Sequence, residues 1–216
     1  MNIVLITSVI DTPKLPLSYS PIRSVFSREE RFEQTKLTIA SVKKYIANSM
    51  VVIVECSDLS PDEETYFNME CDHVINLWEN KELHKMIFGT SKSLGEGIMT
   101  IRALEFISNL GLHYDYLYKV SGRYWLNDNF NLTTIDCCVF KQIHGNKANI
   151  STALYKLTKN CTDLLKEFLQ KNIPAMEKHI GYEILMGQFI MGKDIKLIDR
   201  FGLNGYVTVC GSFYDG

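Results

Sequence analysis

The chain has 216 residues, enough for one domain with a sizeable core and short of what two would need. Hydrophobic residues make up 46% and charged residues 22%, the balance of an ordinary globular protein rather than a disordered or fibrous one. A net charge of -2 leaves no basic footprint, so nucleic acid is not expected among the partners.

In chain order, "NIVLITSVI" reads as a buried strand: short, β-branched and continuously apolar. It has no basic lead-in or cleavage site and is too short for a membrane span, as is every later apolar run. The proline-rich "DTPKLPLSYSPIRSVF" is longer than a plain connector and is a candidate functional loop. In "SREERFEQTKLTIASVKKYI", Phe32, Thr35, Ile39, Val42 and Ile46 recur at helical spacing, and Ser27 with Glu30 fits a capping box. "MVVIVECSDLS" is a second buried strand. Strand, helix, strand with unbroken apolar strands predicts a parallel α/β unit.

A short helix around "PDEETYF" and a strand at "DHVINLW" follow. "GTSKSLGEG" reads as a turn-rich loop opening the helix "IMTIRALEFISNLG", with Gly111 as its C′ residue. "HYDYLYKVSGRYWLNDNF" holds a strand that ends abruptly in Ser121, Gly122 and Arg123. "IDCCVFKQI" and "NISTALYKLT" predict strands of a more mixed part of the sheet. "TDLLKEFLQKN" and "GYEILMGQFIM" predict helices, and "IKLIDRFGLNGYVTVCGSFYDG" a last strand with a glycine-punctuated tail. The six cysteines show no CxxC pair or zinc spacing, and adjacent Cys137 and Cys138 should point to opposite faces of a strand. Reduced, mostly buried thiols fit a cytoplasmic protein. No composition break divides the chain, so residues 1–216 are expected to form one α/β domain.

Ligands of open α/β sheets bind at the carboxyl ends of parallel strands. "TSVIDTP", "ECSDLS" and "VSGRYWLND" therefore share one rim, and a helix N-terminus at "KSLGEG" would favour a phosphate there. The first strand is followed by prolines, not GxGxxG, and no P-loop is present, which sets aside dinucleotide and P-loop chemistry. Glu55 suits a ribose or base edge; a solvated strand end is the bland alternative.

Together, "SKSLGEGIMTIRALEFISNLGLHYDYLYKVSGRYWL" resembles the central block of GT-A glycosyltransferases, and "VVIVECSDLSPDEE" resembles their second-strand segment. The likeness covers residues 1–130 by order and spacing of elements. Small single-domain members include enzymes of bacterial surface polysaccharides and of large algal viruses. The resemblance implies a Rossmann-like, mostly parallel sheet with helices on both faces. It implies a donor half at 1–130 and an acceptor half at 131–216. The implied activity moves a sugar from a nucleoside diphosphate, UDP being the commonest carrier, to a hydroxyl of a glycan or glycoconjugate.

This chain departs from the family at one place: Ser121, Gly122 and Arg123 stand where the family has Asp-x-Asp. Serine and arginine do not ligate Mg2+ or Mn2+ as two carboxylates would. The planar fork of Arg123 can instead bind a diphosphate and stabilise its departing charge. No metal is then required, although Mn2+ or Mg2+ stays open as a cofactor, with Asp128 and Asp115 as the remaining ligands. Alternatively Arg123 only pairs with a carboxylate and holds the loop.

Donor contacts are expected from Thr7, Ser8, Arg28, Glu55, Ser57, Asp58, Lys92, Gly95, Ser121 and Gly122. Arg28 and Arg31 both open the first helix, where cations are disfavoured, which suggests either a purpose, such as a diphosphate contact, or a solvated face, the plain surface role fitting at least one of them. On the acceptor side, Glu183 loosely matches the acidic residue that opens a late helix of the family and acts as base. Glu177 and His179 are its competitors. Tyr124, Trp125 and Tyr155 can stack on sugars or simply fill the core. Two other readings stand beside this one: a non-catalytic nucleotide- or glycan-binding relic of the fold, and a sugar nucleotidyltransferase, for which the glycine-rich basic loop is missing.

Overall fold

In the computed structural model, which describes residues 1–143 and 146–216, β1 (Asn2–Ser8) and β2 (Ser49–Glu55) lie side by side within the sheet, each paired on both edges. Both are apolar on two faces, so each must be covered from both sides. The sheet runs β3 (His73–Asn76), β2, β1, β4 (Tyr116–Ser121), β8 (Leu154–Thr158), β6 (Val139–Ile143), β7 (Asn146–Ile150), with β9 (Lys196–Ile198) also against β6. The first four strands are parallel. β8 joins β4 antiparallel, β6 pairs antiparallel with β8 and β7, and β9 runs parallel to β6. The expected mostly parallel sheet is therefore mixed. Short connections such as that between β6 and β7 cannot carry a crossover, so the chain there must return antiparallel.

Two layers cover the sheet. α1 (Arg28–Tyr45) and α2 (Pro61–Glu70) lie on the face of Val4, Ile6, Ile53 and Val120. α3 (Lys81–Ile87), α4 (Lys92–Asn109), α5 (Lys159–Lys171), α6 (Ile173–Glu177) and α7 (Tyr182–Ile190) cover Ile3, Leu5, Val54 and Leu117. One sheet thus runs through both 1–130 and 131–216. Among the described residues no helix is long and apolar enough to cross a membrane.

The capping box of α1 is present: Ser27 Oγ accepts from the Glu30 amide at 3.2 Å, and the Ser27 amide donates to Glu30 at 2.7 Å. Arg31, Thr35, Thr38 and Ser41 form a buried polar stripe on α1, which grips the next turn of the fold. Thr38 Oγ1 donates to the Tyr124 carbonyl at 2.7 Å and Ser41 Oγ accepts from the Leu126 amide at 3.0 Å.

Several segments differ from expectation. "KSLGEG" is helix, not loop: α4 starts at Lys92, and Ser91 Oγ caps it by accepting from the Leu94 amide at 3.2 Å. Gly95 and Gly97 serve packing there. A Cβ at Gly95 would lie 2.7 Å from the Ile87 carbonyl, and one at Gly97 only 2.3 Å from the Met176 sulfur. "NISTALYKLT" breaks into β7 and β8, and Cys137 and Cys138 precede β6. The tail forms β10 (Leu203–Tyr206) and β11 (Phe213–Asp215); β10 pairs with both β11 and β5 (Tyr124–Leu126) in a separate antiparallel sheet. α3 and α6 span one or two turns each, too short to show a period.

Gly95→Ala should destabilise the fold by about 1–3 kcal/mol, because a backbone carbonyl rather than a flexible side chain must yield. A lower urea midpoint at unchanged m-value would show it; an unchanged midpoint would contradict the packing role.

Candidate functional site

The strand order places a switch point between β1 and β4. The chain leaves β1 through α1 on one face and reaches β4 through α3 and α4 on the other, so a crevice opens beyond both strand ends. Register sets Thr7 beside Ser121. The Gly122 amide then donates to the Thr7 carbonyl at 2.8 Å. A Cβ at Gly122 would lie 2.9 Å from the Ser8 Cβ and 3.3 Å from Thr35 Oγ1, so only glycine lets the β4 tip lie this close to β1. The tail buttresses the same turn: the Tyr206 amide donates to the Arg123 carbonyl at 3.4 Å, and Gly205 packs against Tyr124.

The crevice holds a cavity of about 120 Å³ that opens to solvent. Thr7, Ser8, Ser121, Gly122 and Arg123 form its floor; Lys92, Gly95, Glu96 and Arg31 form its sides. Thr12, Pro13 and Leu17 of the long loop and Thr208 of the tail complete it. Arg23 pins that loop, with Nη2 donating to the Phe88 carbonyl at 2.9 Å and Nε to the Leu15 carbonyl at 3.1 Å.

Positive charge dominates. Arg31 is buried; its Nε donates to the Val9 carbonyl at 2.6 Å, while Nη1 is buried with no partner. Burial, then the charge of Arg123, pull its pKa down to about 10. Arg123 lies 5.0 Å over the Tyr124 ring with its Nε buried and unpartnered. Burial and Arg123 likewise lower the Lys92 ammonium. Buried guanidinium donors without acceptors are costly, and an anion relieves that cost.

The facing carboxylate is Glu96. Lys119, fully buried in mid-β4, donates to Glu96 Oε1 at 2.7 Å, Ser121 Oγ at 2.9 Å and the Thr152 carbonyl at 2.8 Å. Burial acts to raise the Glu96 pKa, but Lys119 and Lys92 outweigh it and hold the carboxyl below its ordinary range. Lys119 is lowered by burial, against the pull of Glu96.

A second pocket of about 160 Å³ shares Lys92 and Glu96 with the first. Its wall is rich in hydroxyls, from Ser18, Tyr19, Ser91, Ser93 and Tyr182, and it includes His179 and Glu183. Glu183 opens α7, with Oε1 3.5 Å from Thr152 Oγ1.

Of the residues singled out in the sequence, Thr7, Ser8, Lys92, Gly95, Ser121, Gly122 and Arg123 meet in the first pocket, and Glu183 lines the second. Arg28 lies outside both: it bonds Glu63 Oε1 at 2.9 Å and Asp11 Oδ2 at 3.2 Å. Glu55 is fully buried beneath the rim, accepting from Ile10 N, Cys56 N and Ser57 Oγ, with its carboxyl pushed up by burial. Ser57 is buried with it, and Asp58 is exposed away from the crevice. Asp128 is exposed beside Tyr45 and Lys44, and Asp115 holds the N-terminal amine at 2.9 Å. Glu177 is exposed. Tyr155 and Tyr124 are buried, and Trp125 packs against Tyr206 and Phe213. Among the described residues no group of three His, Cys, Asp or Glu could hold a metal ion.

Sequence reasoning missed Glu96 and Lys119 and favoured Arg28 over Arg31. A lysine in an otherwise apolar strand was the available signal for Lys119. For Arg31 it was helical phase with Thr35 and Thr38.

Pyrophosphate alone should bind this crevice in calorimetry. Arg123→Ala should weaken it about 10- to 100-fold, the loss of charge-assisted hydrogen bonds, whereas Arg28→Ala should leave it unchanged. Equal affinity in Arg123→Ala would contradict the anion site. No protein-family model matches the chain and no curated protein does, so any reading of function rests on this geometry.

Proposed function

We propose that the protein is a glycosyltransferase that moves a sugar from a nucleoside diphosphate, UDP in the first place, to a hydroxyl of a glycan. The observation that carries this reading is the pair of guanidinium groups, Arg31 and Arg123, with buried unpartnered nitrogens at the sheet's switch point. Such a site asks for an anion with several oxygens, and a diphosphate supplies them. The apolar wall of Pro13 and Leu17 suits a nucleoside, and the adjoining hydroxyl-lined pocket suits a carbohydrate.

In this scheme Arg123, Arg31 and Lys92 bind the diphosphate. They also meet the charge it gains as the sugar leaves, the electrostatic work that preorganised cations do best in a water-poor crevice. Glu183 stands where an acceptor hydroxyl would enter and is the candidate base. The crevice's fixed cations supply the charge that a divalent metal supplies elsewhere, so the scheme routes no step through a metal.

Thermal melts with UDP, GDP and CMP, each with and without Mn2+, test the donor site. UDP at a hundredfold excess over its Kd should raise Tm by roughly 5–10 °C. If no nucleotide raises Tm, the reading fails. Slow release of UDP from a bound UDP-sugar should persist in Arg123→Lys at reduced rate and vanish in Arg123→Ala. Binding without any release in the native protein would instead mark a non-catalytic nucleotide-binding module.

A further inference from the structure

We infer that the transferred sugar sits where the two pockets meet, with Glu96 as the carboxylate set against its reacting carbon and Lys119 as the residue that positions Glu96. The inference rests on the glycosyltransferase reading and adds to it a residue and a place for the sugar.

Three observations converge on Glu96. It is the carboxylate that lines both pockets. Lys119 engages Oε1 at 2.7 Å and leaves Oε2 without a hydrogen bond among the described residues. Lys119 itself is anchored twice more, to Ser121 Oγ and the Thr152 carbonyl, so the pair is fixed from the strand side. A buried lysine of this kind is a costly way to strengthen a core, since apolar residues would pack as well or better. It does deliver a carboxylate to one point in the cleft.

Helix geometry agrees. Lys92 and Glu96 are four residues apart on α4, on the same face and about 6 Å apart along the axis. A diphosphate held by Lys92 and Arg123 would place its attached sugar about one helical turn deeper, beside Glu96. The second pocket, with Glu183 and its hydroxyls, then receives the acceptor on the far side of that sugar.

The chemistry balances as a substitution at carbon. The bond between the sugar's anomeric carbon and the phosphate oxygen breaks, and its electron pair stays on the diphosphate. A lone pair of the acceptor hydroxyl oxygen forms the new bond, and its proton passes to the Glu183 carboxylate. The anomeric carbon carries positive charge in between. Glu96 stabilises that charge without forming a bond or taking a proton, which requires it to stay ionised. The groups facing it are the cations Lys92, Lys119 and Arg123, which favour ionisation against its burial, and the tyrosines Tyr19, Tyr155 and Tyr182; Glu183 lines the adjoining pocket.

The test uses the full chain and four donors: UDP-glucose, UDP-galactose, UDP-N-acetylglucosamine and GDP-mannose. Release of UDP or GDP is measured with water or added glycan as acceptor. Glu96→Gln keeps the shape and an acceptor for Lys119. It should bind UDP within threefold of the native protein while kcat falls at least 100-fold. Lys119→Met should lower kcat and move the acid limb of the rate–pH profile to higher pH, because Glu96 loses the cation that keeps it ionised. An effect confined to folding would leave that limb in place. Turnover within threefold in Glu96→Gln overturns the inference, as does loss of UDP binding together with turnover. A native protein silent on all four donors overturns the transferase reading itself, and this inference with it.

Discussion

The hydrogen bond from the Gly122 amide to the Thr7 carbonyl is the joint on which the rest of the crevice depends. It extends the β1–β4 pairing one residue past the end of the ladder, and it requires a residue without a side chain at 122. Because the tip of β4 is held against β1, Arg123 emerges at the switch point rather than above it. The polar stripe of α1 packs on the same turn, so Thr35, Thr38 and Ser41 fix from above what Thr7 fixes from the side. A fold built for apolar burial alone would have had no reason to put hydroxyls on that face of α1.

Around this joint the protein gathers like charges, against the tendency of the fold. Burial and the neighbouring charge of Arg123 pull the Arg31 pKa down, and both guanidiniums lack acceptors for buried nitrogens. Lys119 and Glu96 are different in kind: each answers the other, and the lysine's three acceptors satisfy its ammonium. One side of the crevice is thus electrostatically closed and the other open. Folded proteins hold such tension where a ligand relieves it, and they support it with stability drawn from the remaining core. Here that core is the pair of apolar layers on either side of β1 and β2, whose residues are almost all fully buried.

Most of the first half was legible in the sequence because its signals are local. Ser27 and Glu30 announce a helix start, Gly111 its end elsewhere, and unbroken β-branched runs announce parallel strands. The β4 tip with Gly122 and Arg123 was legible too, since a glycine and a cation ending an apolar run are conspicuous. What failed depended on tertiary contact. Gly95 and Gly97 look like loop residues until Ile87 and Met176 are seen to press on them. Glu55 looks like a ligand contact until it is found fully buried beneath the rim, its Oε1 taking three donors of its own chain. Arg28 and Arg31 differ by less than a helical turn, and only the phase that Arg31 shares with Thr35 and Thr38 separates the one that turns inward.

The pairing of the tail with β5 bears on how the protein is made. The carbonyl of Arg123 is held by Tyr206 and its flanking ring by Gly205, residues that follow β4 by a long stretch of chain. During vectorial synthesis β1 and β4 can associate well before β10 leaves the ribosome. The crevice is therefore among the last features to become rigid. A nascent chain would hold its like-charged groups less firmly until β10 is in place, so a rigid crevice depends on the tail strands as well as on the first half.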